Sequence, residues 1–488
     1  MTPTVLTKTL LRIAAERGDR RAIGGADGRW WTWQEITRAI ESIGSSLADA
    51  GIARGSRVAI VVPDGPLAAL TIWAVACAAT AVPIPDASEE EVVRWIGAIA
   101  PDAIVTVPGR VGVQSWATKH NVPLGLIRTD AEEATLDFDL PRDVTTSIAP
   151  EVAIVMLTSG STGVPKQIPR SDTNVLQAVG NYATAIGLTP EDRAFTMMPL
   201  HHSHGLMAGV LAPLLSGGAT VVASMREMDG IATILAESAP TWVTAGPTMH
   251  RHMLERMTGT ATNPVRFVRC ASDHLSQELR RDLVAVYRAP VITSFGVTEC
   301  PFATAQHPDD PGPEDGLGRP IVDMAMLGDD GAPVERGEVG LIAVRGPSVS
   351  AGPRVGDGWY TPGDRGVFLP SGELRFLGRV REAIRRGSEE IAPDQVEAVL
   401  RGHPAIEDAA VFPIGHAVLG EDVAAAVVIR PGQDVSAREV RRWVLASLPT
   451  SCVPRQIWVM DRLPMTETGK IARAQVRAAA ERDGVPMR

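Results

Sequence analysis

"LTSGSTGVPK", residues 157–166, follows the apolar run "AIVML" and strings glycines and hydroxyls together before a lysine. It looks like a nucleotide-binding P-loop, whose pattern is Gly-x-x-x-x-Gly-Lys-Ser/Thr with the last two residues opening a helix. Here Pro165 stands before Lys166 and Gln167 follows it. Proline removes a backbone donor and biases Val164 away from helical angles. The segment is therefore expected to hold phosphate, but not in the Walker manner. Thr158, Ser159, Ser161 and Thr162 offer hydroxyls, and Gly160 and Gly163 let backbone N–H groups approach an anion. A solvated Gly/Ser turn between a strand and a helix is the alternative reading.

Working outward, short β-branched runs alternate with helical patterns. "RVAIVV" (57–62), "DAIVTV" (102–107), "VAIVML" (152–157), "RAFTMM" (193–198), "ATVVAS" (219–224), "TWVTAG" (241–246) and "VRFVRCA" (265–271) read as strands, and "LSQELRRDLVAVY" (275–287) as a helix. This alternation predicts an α/β fold with covered, mostly parallel sheets. From about residue 318 short strands and Gly/Pro turns suggest a small β-rich subdomain. After residue 378 come a helix expected to be capped by Asp394, two strands, "DAAVFPIG" and "EDVAAAVVIRPG", and the helix "SAREVRRWVLASL". The expected organisation is an N-terminal domain (1–378), a hinge (379–381) and a mobile α/β C-terminal domain (382–488).

The 488 residues exceed one compact domain, and a net charge of −10 argues against a large nucleic-acid surface. Cys77, Cys270, Cys300 and Cys452 are far apart with no CxxC pair, so a zinc site or disulfide framework is not expected and a reducing cytoplasm fits. At the N-terminus Arg12 breaks the apolar run early, so the stretch reads as an amphipathic helix and not a signal peptide. The Ala-rich stretch 68–86 reads as a buried helix running into a strand, not a membrane span. Of 47 basic residues only Lys8, Lys119, Lys166 and Lys470 are lysines. Two of these four end glycine-containing motifs, where a compact ammonium is useful.

Six segments occur in order: "LTSGSTGVPK", "MPLHHSHG" (198–205), "SFGVTE" (294–299), "GWYTPGD" (358–364), "GRVREAIRRGSEEIAP" (378–393) and "PMTETGK" (464–470). Together they resemble the core motifs of the adenylate-forming superfamily of acyl-CoA synthetases, peptide-synthetase adenylation domains and luciferase. In style they are most similar to oxalate-CoA-ligase-like acyl-CoA synthetases. The resemblance implies an AMP-forming ligase that activates a small carboxylic acid with ATP and Mg2+ as acyl-AMP, releases pyrophosphate, and passes the acyl group to CoA. A different acceptor (a separate carrier protein, an amine or activated nitrite) is the alternative. No nucleic acid or membrane partner is expected.

Position by position, the resemblance implies that Lys166 follows the β/γ phosphates, Phe295 stacks on adenine and Thr298 touches the α-phosphate. Glu299 would hold magnesium, Asp364 the ribose, and Arg379 a further nucleotide contact. Lys470 would bridge carboxylate and α-phosphate, with Arg381 as the hinge. His202 would stand beside the incoming acid. His201 and His202, if on a strand end, would face opposite ways. Pocket walls are expected from Ser203, Thr244–Thr248 including Gly246, Ala271, Ser272, Ser294 and Gly296, whose small size points to a compact or polar acid. Four departures stand out. Arg381 replaces the usual Asp or Lys, Ser388 replaces a glycine, "YTPGDRG" replaces a more usual nucleotide turn, and Asp273–His274 replace a small pair. For Asp273, capping of the following helix is the favoured reading.

Overall fold

The structure, a computed structural model, describes residues 4–129, 133–139, 146–158, 166–257, 259, 261, 263–350, 354–355, 357–387, 389–465 and 471–487. The chain divides into two units. One comprises Met1–Ser272, Leu279–Asp323 and Val344–Arg354, and the other Asp273–Glu278, Met324–Ala343 and Val355–Arg488.

Among the described residues, fourteen strands form the two large sheets of the first unit: β1 (Arg21–Gly25), β2 (Trp30–Thr32), β3 (Arg57–Val61), β4 (Thr80–Pro83), β5 (Ala103–Thr106), β6 (Leu124–Thr129), β7 (Ala134–Phe138), β8 (Val152–Thr158), β9 (Lys166–Ser171), β10 (Arg193–Thr196), β11 (Ala219–Val222), β12 (Trp242–Ala245), β13 (Phe267–Cys270) and β14 (Val291–Ile292). One sheet runs β14-β13-β12-β10-β11-β1-β2 and the other β7-β6-β5-β3-β4-β8-β9. All pairs from β14 to β1 are parallel, and so are those from β6 to β8; antiparallel strands β2, β7 and β9 close edges. The β-branched runs are buried on both faces, as β12 and β13 show at every residue, because helices cover the parallel sheets.

The Ala-rich stretch is the helix Pro66–Ala78, buried continuously from Ala68 to Cys77, followed by β4. Among the described residues no helix is long and apolar enough to cross a membrane. Helix Val5–Arg17, capped by Thr4, buries Leu6, Leu10, Ile13 and Ala14 as its amphipathic pattern requires.

The alternative reading of the opening motif, a turn between a strand and a helix, is corrected. Thr158 pairs with Lys166 across antiparallel β8 and β9, so the loop joins strand to strand. The helix Asp172–Ala185 begins only after β9, with Ser171 and Asn174 forming its capping box. A Walker lysine opens a helix, whereas Lys166 opens a strand. Ser159, Gly160, Ser161, Thr162 and Gly163 lie outside the described residues.

The second unit holds most of a four-stranded sheet in the order Asp323–Leu327, Gly340–Arg345, Asp364–Phe368 and Leu374–Arg379. Further along, the antiparallel pair Ile406–His416 and Gly420–Ile429 is joined in parallel by Gln456–Val459. Val396, Leu400, Val411, Val427, Val440 and Val444 share its core. Asp394 is not the cap of its helix. Pro393 occupies the first helical position, Ala392 stands at the N-cap without a side-chain bond, and Asp394 receives a guanidinium N–H of Arg473. Asp273 likewise accepts the His274 N–H at 2.7 Å, and the helix opens later, at Gln277.

Candidate active site

Parallel sheets bind ligands beyond the carboxyl ends of their strands. Gly246 follows β12, Ala271 and Ser272 follow β13, and Ser294 lies two residues past β14. The loop after β10 carries His201, His202 and Ser203. The topology thus gathers these expected pocket residues at one end of one sheet.

Past Ser294, Phe295 is buried and its N–H donates to Thr304 Oγ1 at 2.9 Å. Gly296 is required by packing, since a Cβ there would lie 2.0 Å from the Pro301 carbonyl oxygen. Val297 and Cys300 exchange both backbone hydrogen bonds at 2.9 Å, which leaves Thr298 and Glu299 as the two corner residues of a tight turn. Arg170, fully buried on β9, donates to the Thr298 carbonyl and to the Ser348 carbonyl at 3.4 Å. Burial pushes its guanidinium down to about 10, while the nearby Cys300 and Glu299 act in the opposite direction. The Ser350 N–H bonds the Glu299 carbonyl at 2.8 Å. The Glu299 carboxylate itself is 11% exposed and touches the ammonium of Lys166, which is 55% exposed. The structure therefore brings Lys166, Thr298 and Glu299 together with the end of the 157–166 motif.

The histidines differ from expectation. His201 and His202 occupy a turn, not a strand end, and their rings meet at 3.9 Å between centroids instead of facing apart. His201 is buried, and burial pushes its imidazole down to about 4, so it is neutral near pH 7. The loop is tied down by Asp64, whose carboxylate accepts the Leu200 N–H at 2.9 Å. Burial pushes that carboxyl up to about 6, against the Leu200 bond and the Arg226 charge. His204 starts the π-helical segment His204–Leu211 and is fully engaged, Nδ1 with Ser272 Oγ at 2.8 Å and Nε2 with Thr244 Oγ1 at 2.7 Å. Ser272 itself sits at φ +79°, an unusual angle for a residue with a Cβ. Ser203 Oγ is buried without a hydrogen-bond partner among the described residues.

In the second unit Asp364 and Arg379 face each other across two antiparallel strands. Arg379 Nε lies 3.2 Å from Asp364 Oδ1. Burial raises the Asp364 carboxyl above its ordinary value, and the Arg379 charge partly offsets this. Arg381 is exposed in the 3-10 turn Val380–Glu382. Ser388 and Lys470 lie outside the described residues.

Residues 10–352 match the family model described as AMP-binding enzyme, and residues 395–470 match that of the AMP-binding enzyme C-terminal domain. The chain belongs to the AMP-binding enzyme family. The oxalate–CoA ligase of Arabidopsis thaliana is 30% identical and aligns over 97% of this chain and 98% of its own length. The sulfoacetate–CoA ligase of Cupriavidus necator is also 30% identical, over 92% of each chain. Among solved structures, ATP-bound MatB from Rhodopseudomonas palustris superposes with a TM-score of 0.85 over 97% of this chain and 99% of its own, at 22% identity. As a member of this family the chain is an enzyme, an AMP-forming ligase.

Within this AMP-binding enzyme, sequence reasoning missed Arg170, Asp64 and Arg269. Arg269 is a charged residue inside the strand "FVRC", which is buried at all positions. Such a residue is itself a signal, because a guanidinium in a doubly covered strand needs a reason to be there. Among the described residues no three His, Cys, Asp or Glu side chains form a metal cage. A single buried carboxylate such as Glu299 nevertheless fits Mg2+, which keeps waters and phosphate oxygens as its remaining ligands.

Proposed function

We propose that the enzyme joins a small carboxylic acid to CoA through an acyl-adenylate, and that the residues gathered around Glu299 serve the nucleotide half of that reaction. The observation carrying the assignment of roles is the contact of Lys166 with Glu299 at the corner turn behind Phe295. A carboxylate oxygen attacks the α-phosphorus and the bond to pyrophosphate breaks. The CoA thiol then attacks the acyl carbon, and the acid's oxygen leaves with AMP.

Lys166, exposed and on a flexible stem, would follow the β/γ phosphates, and the Thr298 hydroxyl would donate to the α-phosphate. Glu299 would hold Mg2+, which supplies charge neutralisation on the phosphates when bound. Phe295 would stack on adenine, with Asp364 and Arg379 on the ribose side. Lys470 would place an ammonium against the charge that develops between carboxylate and phosphate, an effect worth on the order of 10²–10³ in rate. His202 and Ser203 would border the acid, with Gly246, Ala271, Ser272, Ser294 and Gly296 as its walls. The domain boundary near 378–381, with Arg381 as hinge, belongs to the same reading, as does a cytoplasmic setting for four free, buried cysteines.

The test is product identification by mass spectrometry after incubation with Mg-ATP, CoA and a panel of oxalate, short-chain, aryl and amino acids. A CoA thioester with AMP and pyrophosphate is the expected result. Acyl-AMP that accumulates without thioester would move the acceptor to an amine, nitrite or a carrier protein. ADP would remove the reading altogether.

A further inference from the structure

Arg269 is 3% exposed in the middle of the parallel sheet, and among the described residues it forms no ion pair. Nη1 donates to Thr244 Oγ1 at 3.1 Å and Nη2 to Ser294 Oγ at 2.9 Å, both neutral hydroxyls. Nε is buried with no hydrogen-bond partner among the described residues. The Tyr182 ring lies 5.3 Å from the guanidinium carbon. His250 bonds the Arg269 carbonyl at 2.9 Å, and burial holds its imidazole at about 4, neutral near pH 7. The half-buried arginines Arg54 and Arg401 instead meet carboxylates, Asp172 at 2.9 Å for the first and Asp408 at 2.8 Å and Glu397 at 3.3 Å for the second; the fully buried Arg170 bonds the Thr298 and Ser348 carbonyls and stands close enough to Glu299 to feel its charge.

A buried guanidinium costs several kcal/mol of lost hydration unless an anion offsets it. A ring face offsets only about 2 kcal/mol. The side chain holding this charge reaches Ser294 and, through Thr244, His204 and Ser272, so it lies directly behind the expected walls of the acid pocket.

We propose that Arg269 determines specificity by reading a second anionic group on the acid, a carboxylate or sulfonate held close to the one that is activated. The inference rests on the acid-activating reading above. The reacting carboxylate loses its charge on becoming an adenylate, so a guanidinium set to bind it would lose its anion at the first step. A second, unreacting anion keeps its charge throughout. The two hydroxyls that hold the guanidinium, on Thr244 and Ser294, are themselves expected pocket-wall residues, which suits a compact diacid; an alkyl chain laid against them would leave the guanidinium unpaired, the kind of mismatch that sites reject most strongly.

The test compares kcat/KM for oxalate, malonate, succinate and sulfoacetate with that for the matching monoanion, whose reacting carboxylate is free and whose second acid group is neutral (the monomethyl ester of each diacid, methylsulfonylacetate for sulfoacetate), in the wild type, Arg269→Gln and Arg269→Lys. The wild type is expected to favour at least one dianion over its matching monoanion. The ratio should fall about 10²-fold in Arg269→Gln, as loss of one member of a buried charge pair implies, and Arg269→Lys should keep part of it. A purely structural arginine would lower both substrates together and leave the ratio unchanged, which overturns the proposal. So does a wild-type ratio near one, which is read without any variant and stands even where Arg269→Gln fails to fold. Turnover of simple monoacids without charge preference defeats this inference alone. Failure to adenylate any acid defeats the reading beneath it as well.

Discussion

Replacing Asp64 by Asn should change the pH dependence of stability in a calculable way. In the folded protein burial moves this carboxyl from 3.8 to about 6. Between these values the folded chain keeps a proton that the unfolded chain releases, so folding binds a proton and stability falls as pH rises. The contribution is intact below 3.8 and fully lost above about 6. A shift of this size corresponds to at most about 3 kcal/mol at 1.36 kcal/mol per unit. Asp64 keeps some solvent contact, so about 2 kcal/mol is the expected change between pH 4.5 and pH 8. Asn has no charge to lose and can still accept the Leu200 N–H. Urea unfolding of both proteins at the two pH values should show Asp64→Asn gaining about 2 kcal/mol on the wild type from the lower to the higher pH. His201 and His250, whose lowered values make the fold more stable as pH rises from about 4 to 6.5, are common to both proteins and cancel. A difference that stays constant with pH, or grows towards acid, would refute the reasoning.

Further outcomes follow from the same contacts. Gly205→Ala would set a Cβ 2.3 Å from the Pro199 carbonyl oxygen, so thermal unfolding should show a loss of about 1–3 kcal/mol, with the acid's KM raised because the His202 loop must shift. Arg473→Met removes a guanidinium that reaches Glu382 at 2.6 Å and Glu397 at 3.0 Å; breaking this partly buried cluster should cost about 3–5 kcal/mol, read by urea denaturation. Glu299→Gln should lower adenylation and raise the Mg2+ concentration needed for half-maximal rate, while an unchanged Mg2+ dependence would remove its proposed role.

Much of this architecture was legible locally. Seven strands stood out because β-branched runs buried on both faces leave an uninterrupted apolar trace. The strand β9 did not, because Pro169 within it reads as a breaker; proline is tolerated there since β9 is the edge strand of its sheet. That one strand turns the phosphate loop from a strand–helix connection into a strand–strand one. The His201–His202 contact depends on a turn that alternation rules do not foresee. Asp394 looked like a cap, but Pro393 already supplies the first helical residue, where no N–H needs satisfying. The surroundings of Arg269 are set by β12, β13 and β14 lying side by side, and that pairing brings together residues 25 apart in sequence.

The central claim, that the acid passes through an adenylate, is tested most directly by isotope transfer. Acid labelled with ¹⁸O in its carboxylate would be turned over with Mg-ATP and CoA, and the AMP analysed by mass spectrometry. The mechanism predicts one ¹⁸O in each AMP, because the oxygen that attacks the α-phosphorus leaves with it. AMP without label, or label found in inorganic phosphate beside ADP, would contradict it.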